Sequence, residues 1–495
     1  MLKNFKKNSS SSRRHLRRKY NKPVFSSSTP IEKAFHSTPQ RQIWPLIVGG
    51  IGVAVLAKGA QYLARAIKNM EKSEQSSKRS EDSFHNEENR TQPIHRVKHD
   101  GPVFGIDLGS SNCRVAGCVD SSKTPEVLEN REGSRVTPAA LAFKDGQMVV
   151  GQLAKLQRWQ TPEKAMHGMP QLLGLAHDDP KISEIFDGNL PSSLLTEGHK
   201  GQPAMMGPTG QPLTAVEMTS SVLKAIRETA TMKMGENGPA VLAVPANFNE
   251  IQKQALISAA QLADVSVEGL LEEPVAALMA CREKKLVDVP GGSPVVVVDI
   301  GGRQATVSVV ASGDYSVENK SGNHGEVVAT ETCLGVGGEH FDTQLVHTLT
   351  RHFQENTADI DLSKDPLAVQ RMYEAAETAK IELSKMQSVH INLPFITADM
   401  TGPKHLDFDL TRSQYDRIME PIYTKKVALF DKILRSANIS KEDLHAIILV
   451  GGCSKIPKVQ IQTNEWFDKD PIIPVNSEEI IVVGAAMEAR RLFLD

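Results

Sequence analysis

The chain has 495 residues, of which 40% are hydrophobic and 23% charged, and a formal net charge of −2. That length allows two or three domains and a large core, and the charge balance argues against nucleic acid as a partner for the whole chain. Its five cysteines (Cys113, Cys118, Cys281, Cys333 and Cys453) form no CxxC pair and no zinc-type cluster with histidine. Neither a disulfide framework nor a metal site of that kind is expected, and a reducing compartment fits.

Residues 1–42 carry eleven Lys/Arg against one acid, Glu32, with serine runs at Ser9–Ser12 and Ser26–Ser28. This is the composition of a transit peptide of mitochondrial type; a basic tail that binds anionic surfaces is the alternative. Residues 43–67 follow as a hydrophobic segment, uncharged from Ile43 to Ala57 and flanked by Trp44 and Tyr62. A helix from Trp44 to Arg65 would run roughly 33 Å, enough to cross a bilayer. Lys58 inside it must snorkel, so a helix lying on the surface or an extension of the presequence is the competing reading. Residues 68–101 are mixed in charge and poor in aromatics, as flexible linkers are, and the globular pattern holds over 102–495.

The first motif of the globular part is "FGIDLGSSNCRVAGCV" (104–119), a strand, a turn at Gly109 and a returning strand. "VVVVDIGGRQATVSVV" (295–310) repeats it, with Asp299 matching Asp107 and Gly301 matching Gly109, 192 residues on. Two Asp-x-Gly hairpins point to two related lobes that present turns to one ligand. Small residues there bring backbone N–H groups to phosphate oxygens, and the aspartates can hold a hydrated Mg²⁺. A single such hairpin would be an ordinary β-turn. "LLEEPVAALMA" (270–280) places Glu273 ahead of Pro274, at a helix start. "IILVGGCSKIPKVQ" (447–460) reads as a buried strand, a Gly451-Gly452 turn and a helix, and "IIVVGAAMEARR" (480–491) as a small-residue helix suited to close packing.

These five stretches, in this order, resemble the nucleotide-binding domain of Hsp70 chaperones, and "DPLAVQRMYEAAETAKIELS" (365–384) and "INLPFITADMTGPKH" (391–405) look like the bacterial and mitochondrial branch. The resemblance implies an α/β, actin-like (ribonuclease H-like) ATPase fold with two lobes around a nucleotide cleft. Lobe I would span about 102–290 plus the C-terminal end, and lobe II about 291–475. It implies ATP or ADP as ligand, with magnesium held through water by Asp107 and Asp299. Gly109, Ser110, Ser111, Gly301 and Gly302 would cradle phosphates, and Glu273 would stand near the γ-phosphate. Glu377, Lys380 and Ser384 would edge the adenosine, with Gly451, Gly452, Lys455, Ile456 and Glu478 opposite. Pro245 matches the proline that couples nucleotide state to interlobe motion.

The departures from that family are concentrated where hydrolysis would occur. The third glycine of the second phosphate loop is Arg303, the following threonine is Gln304, the second aspartate is Thr306, and Pro170 stands where a lysine belongs by the γ-phosphate. Lys455 replaces the usual arginine and Glu478 the usual aspartate. Phosphoryl transfer depends on positioning and neutralised charge, so these changes predict weak or absent hydrolysis. The sequence ends at "RRLFLD", where the family would enter its interdomain linker, so the usual peptide clamp is not expected.

Taken together, the expectation is a mitochondrial protein associated with the inner membrane through 43–67. Its partners would be nucleotide and nucleotide-exchange factors or import-motor components, and its role chaperone-related or regulatory. A working ATPase in which Arg303 replaces the lysine is the second reading, and a kinase of the actin superfamily the third. His324 and His340 read as surface residues, Cys453 as a buried thiol and Trp159 as core or interface.

Overall fold

The valine run before Asp299 and the apolar run before Asp107 are buried on both faces, as central strands flanked by helices are. Each becomes the middle of a sheet in the computed structural model, which describes residues 99–186, 194–314, 322–357 and 360–495. The basic segment 1–42, the anchor expected over 43–67 and the linker as far as residue 98 lie outside the described residues. Among those described, no helix is long and apolar enough to cross a membrane.

In the first sheet, Val103–Leu108 pairs antiparallel with Asn112–Cys118 on one side and parallel with Ala240–Val244 on the other, with Val267–Glu272 beyond. In the second sheet, Pro294–Ile300 pairs antiparallel with Gln304–Ser312 and parallel with Ala446–Val450, with Gly325–Leu334 at the far edge. The internal repeat seen in the sequence is thus a repeat of hairpin plus parallel neighbour. It places Asp107 beside Ala243 and Asp299 beside Val450, at matching ends of the two sheets.

Helices are fixed by local signals. Thr214 forms a capping box with Glu217 at the start of Ala215–Met234, and Asn249 forms one with Gln252 at the start of Glu250–Leu262. Asp365 accepts from the Leu367 and Ala368 amides and so opens Pro366–Leu383. One buried cluster around Phe104, Leu141 and Met218 supports the first lobe, and another around Val298, Phe341 and Tyr423 supports the second. Between the sheets pack Glu273–Glu283 and Ile480–Phe493, the small-residue helix. A Cβ on Gly484 would lie 2.1 Å from the Ala276 carbonyl oxygen, which explains the glycine at this helix crossing.

Among the buried ionisable groups outside the site are His324 and Lys426. His324 is not a surface residue: it is 5% exposed, and burial pushes its pKa down to about 4. The sequence reading failed because its neighbouring glycines belong to a loop covered by the last helix, where Glu488 faces the ring at 3.7 Å. Lys426 is 1% exposed, with its Nζ near the rings of Tyr423 and Phe430 and 3.4 Å from the Val459 carbonyl oxygen. Burial pushes its pKa down to about 7 from the ordinary 10.5. Between those values the unfolded chain binds more protons than the folded one, so stability rises with pH across that window. Lys426→Met is therefore expected to stabilise the protein by about 1–4 kcal/mol at neutral pH, with the gain shrinking toward pH 10. Denaturant titration at the two pH values checks this; a destabilised variant at neutral pH would contradict it.

Candidate functional site: a cleft between two phosphate turns

The two hairpins bring their turns into contact. A Cβ on Gly302 would lie 2.1 Å from Ser111 Oγ, so only glycine lets the turns approach this closely. Gly451 has φ +82°, and a Cβ there would meet Asp299 Oδ1 at 2.4 Å. The second turn is also tied to the start of helix Gly338–Asn356, because the Gly338 and Glu339 amides donate to the carbonyls of Gly301 and Gly302 at 3.0 and 2.8 Å.

Around these turns lies a cavity of about 720 Å³. Asp107, Gly109, Ser110, Ser111, Glu273, Asp299, Gly301, Gly302 and Gln304 line one end. Glu377, Lys380, Ser384, Gly451, Gly452, Lys455, Ile456 and Glu478 also line it. The residues singled out as phosphate, cation and adenosine contacts are therefore brought to one cavity. Thr306, Pro170 and Arg303 are not among its lining. Thr306 lies opposite Asp299 in the hairpin and shares a hydroxyl contact of 3.3 Å with Thr332. Pro170 is buried in the short turn of helix Met169–Leu172.

The acids at the cleft base are unusual. Burial raises the Asp107 carboxyl to about 6, and burial together with the Asp107 charge raises Asp299 to about 7. Glu273 is held well above the ordinary carboxylate range by burial, then by Asp299 and Asp107. Three acids that oppose one another's ionisation form a donor set that a divalent cation would satisfy. Among the described residues no three His, Cys, Asp or Glu side chains are placed to hold a metal ion directly.

Arg303 is buried behind the cavity lining, bonded to Glu339, which does line it. It is 5% exposed, donates from NH1 to Glu339 Oε2 at 2.9 Å and from NH2 to the Ile185 carbonyl at 2.6 Å, and lies over the Phe186 ring. Arg158 NH1 reaches the same Glu339 oxygen at 2.9 Å from the other lobe, and Ser111 Oγ donates to Glu339 Oε1 at 2.5 Å. Burial would raise the Glu339 carboxyl, but Arg158, Arg303 and the Ser111 hydroxyl outweigh it and hold it well below its ordinary value. Gln304 accepts from Gln171 Nε2 at 3.0 Å, a further link between the lobes.

Higher in the cleft, helix Gln152–Gln160 docks on helix Pro366–Leu383. Trp159 stacks on Tyr373 with centroids 3.8 Å apart and 15° between planes, Lys155 pairs with Glu377 at 2.8 Å, and Gln160 bonds Gln370 at 2.9 Å. Trp159 is thus an interface residue between the lobes. Cys453 is a buried thiol pushed up to about 12 by burial, which makes it a poor nucleophile.

The family model for Hsp70 protein matches residues 103–493. The chain belongs to the Hsp70 family. Its fold is accordingly the actin-like ATPase fold, with two related lobes and a cleft that in this family takes ATP or ADP. Against that background, Glu339, Arg158 and Arg114 are among the cleft residues that sequence reasoning passed over in this Hsp70-family chain. Glu339 follows the glycines that close on the second turn, and an arginine in place of a loop glycine signals that an acid must be near. Nothing local says which acid, because Glu339 follows Arg303 by 36 residues.

Proposed function

We propose that this protein is a nucleotide-binding Hsp70 relative that holds ADP or ATP and hydrolyses ATP weakly or not at all. The observation that carries the reading is the Arg303 contact set. Arg303, which stands in place of the third glycine of the second phosphate loop, is not among the residues lining the cavity and is bonded to Glu339 and the Ile185 carbonyl instead. Gln304 and Pro170 offer no replacement charge, and each lost term of about 1.4 kcal/mol is a factor of ten in rate. Bound magnesium would neutralise phosphate charge; the protein's own groups position the nucleotide between Asp107, Asp299 and Glu273 on one side and Glu377, Lys380 and Ser384 on the other. The reading of Arg303 as a working substitute for the lysine is disfavoured by the same contacts. The kinase reading draws no support from a family match that spans the whole globular part.

The composition of 1–42 and the hydrophobic stretch 43–67 support a mitochondrial, inner-membrane-associated protein. There it would act as a regulator that engages exchange factors or import-motor components. Carbonate extraction of mitochondria tests the tether: the protein should stay with membranes, and release into the soluble fraction contradicts it.

In a single-turnover assay, bound ATP is expected to remain uncleaved, and Arg303→Ala should leave that rate at background. Measurable hydrolysis abolished by Arg303→Ala would establish the working-ATPase reading instead.

A further inference from the structure

The basic residues of the cleft are nearly all spent on ion pairs. Arg158 and Arg303 share Glu339, Lys155 holds Glu377, Lys380 holds Asp342 at 2.6 Å, and Lys455 holds Glu478 at 2.6 Å. Arg114 is different. It lies on the returning strand of the first hairpin, directly opposite Asp107, and both side chains line the cavity. Residues directly opposite on paired strands project to the same face, so the guanidinium belongs to the wall that carries Asp107. Among the described residues it makes no hydrogen bond and no ion pair within 4.0 Å, and its Nε is buried without a partner. Of the lining lysines and arginines, Lys385 alone likewise has no ion pair among the described residues, and it is exposed just beyond the far helix, next to Ser384.

A partly buried guanidinium with no hydrogen-bonded partner, aimed into a cavity beside a phosphate turn, is a ready bidentate donor for an oxyanion. Against the opposing effect of burial, its charge also lowers the pKa values of Asp107, Asp299 and Glu478, which line the same cavity. A fixed positive charge at that place does for phosphate what a divalent cation does.

We propose that Arg114 takes the phosphate chain of the bound adenine nucleotide, so that binding to this cleft does not require a divalent cation. The proposal rests on the reading of the cleft as a nucleotide site, and adenosine, which lacks phosphate, separates the two. The experiment is isothermal titration of the full-length protein and of Arg114→Gln with ADP and with adenosine, in magnesium and in EDTA. Wild type should bind ADP with a Kd that changes by less than about threefold when magnesium is removed. Arg114→Gln should weaken ADP in EDTA by about tenfold or more, the scale of one charged hydrogen-bonding group. Magnesium should restore much of that loss, and adenosine should bind both proteins alike, which also shows that the variant keeps its cleft. Arg114→Lys should fall between the two, as a point charge replaces a fork. Wild-type ADP binding that vanishes in EDTA overturns the proposal, as does unchanged ADP binding by Arg114→Gln in EDTA; in either case, retained adenosine binding leaves the cleft reading standing. If wild type binds neither ADP nor adenosine, the cleft reading fails and the proposal with it.

Discussion

Glu339→Gln is expected to destabilise the protein by about 3 kcal/mol at neutral pH, because it strands two largely buried arginines without their shared counter-charge. Arg158 comes from the first lobe and Arg303 from the second, and both close on one Glu339 oxygen at 2.9 Å. Ser111 holds the other oxygen, so the same substitution also loosens the first phosphate turn from the second. The pH dependence has a definite sign. Glu339 has its folded pKa held far below the ordinary 4.5, so its contribution is complete above that value and is lost as pH falls through the folded one. Wild type should therefore lose stability steeply in acid, while Glu339→Gln should lose less over the same range. Denaturant unfolding at neutral and acid pH reads both effects. A change within about 0.5 kcal/mol at neutral pH, the range of ordinary surface substitutions, would show that the clasp carries no weight.

Asp299→Asn is expected to act in the opposite direction. The wild-type carboxyl is raised from 3.8 to about 7, so the folded protein holds a proton that the unfolded chain has released. Between those values stability falls as pH rises, by a total of about 4 kcal/mol at about 1.4 kcal/mol per unit. The amide has the same shape and no charge to bury. In EDTA, Asp299→Asn should be more stable than wild type by up to that amount above pH 7, and the difference should disappear toward pH 4. Magnesium should narrow the gap, since a cation favours the ionised wild type and gains little from the variant. A variant that is less stable at high pH, or a gap indifferent to pH, would mean that the cleft acids do not oppose one another.

The parts of the molecule that the sequence revealed are those written in contiguous residues. Each Asp-x-Gly hairpin carries its own strands and turn, so the two-lobed plan and the pairing of Asp107 with Asp299 were legible from the repeat. The edge formed by Glu377, Lys380 and Ser384 was legible only through the family resemblance, and the structure brings all three to the cavity wall. Three things were not legible. The destination of Arg303 depends on the carbonyl of Ile185, 118 residues earlier, and on an acid that follows it by 36. A bulky residue in a phosphate loop looks as if it must meet the phosphate, yet this one is buried against Glu339 and Ile185. Arg114 was passed over because an arginine on a strand ordinarily reads as a surface residue; only the register opposite Asp107 turns it inward. His324 was misread for the same reason in reverse, since the covering helix lies more than 150 residues away in sequence.

One physical pattern links the clasp to the free arginine. Three guanidinium groups, those of Arg114, Arg158 and Arg303, stand at or beside the cleft. Two are consumed in joining the lobes, and one is left facing the cavity. A cleft closed by ion pairs and stacked rings at both heights suits long retention of nucleotide better than rapid cycling.

The most direct test of that central claim is to load the full-length protein with ATP in magnesium, isolate the complex and identify the nucleotide it retains over time. Retention as intact ATP, at a level near one per chain, is the predicted result. Conversion to ADP on the bound protein, or failure to retain any nucleotide, would contradict it.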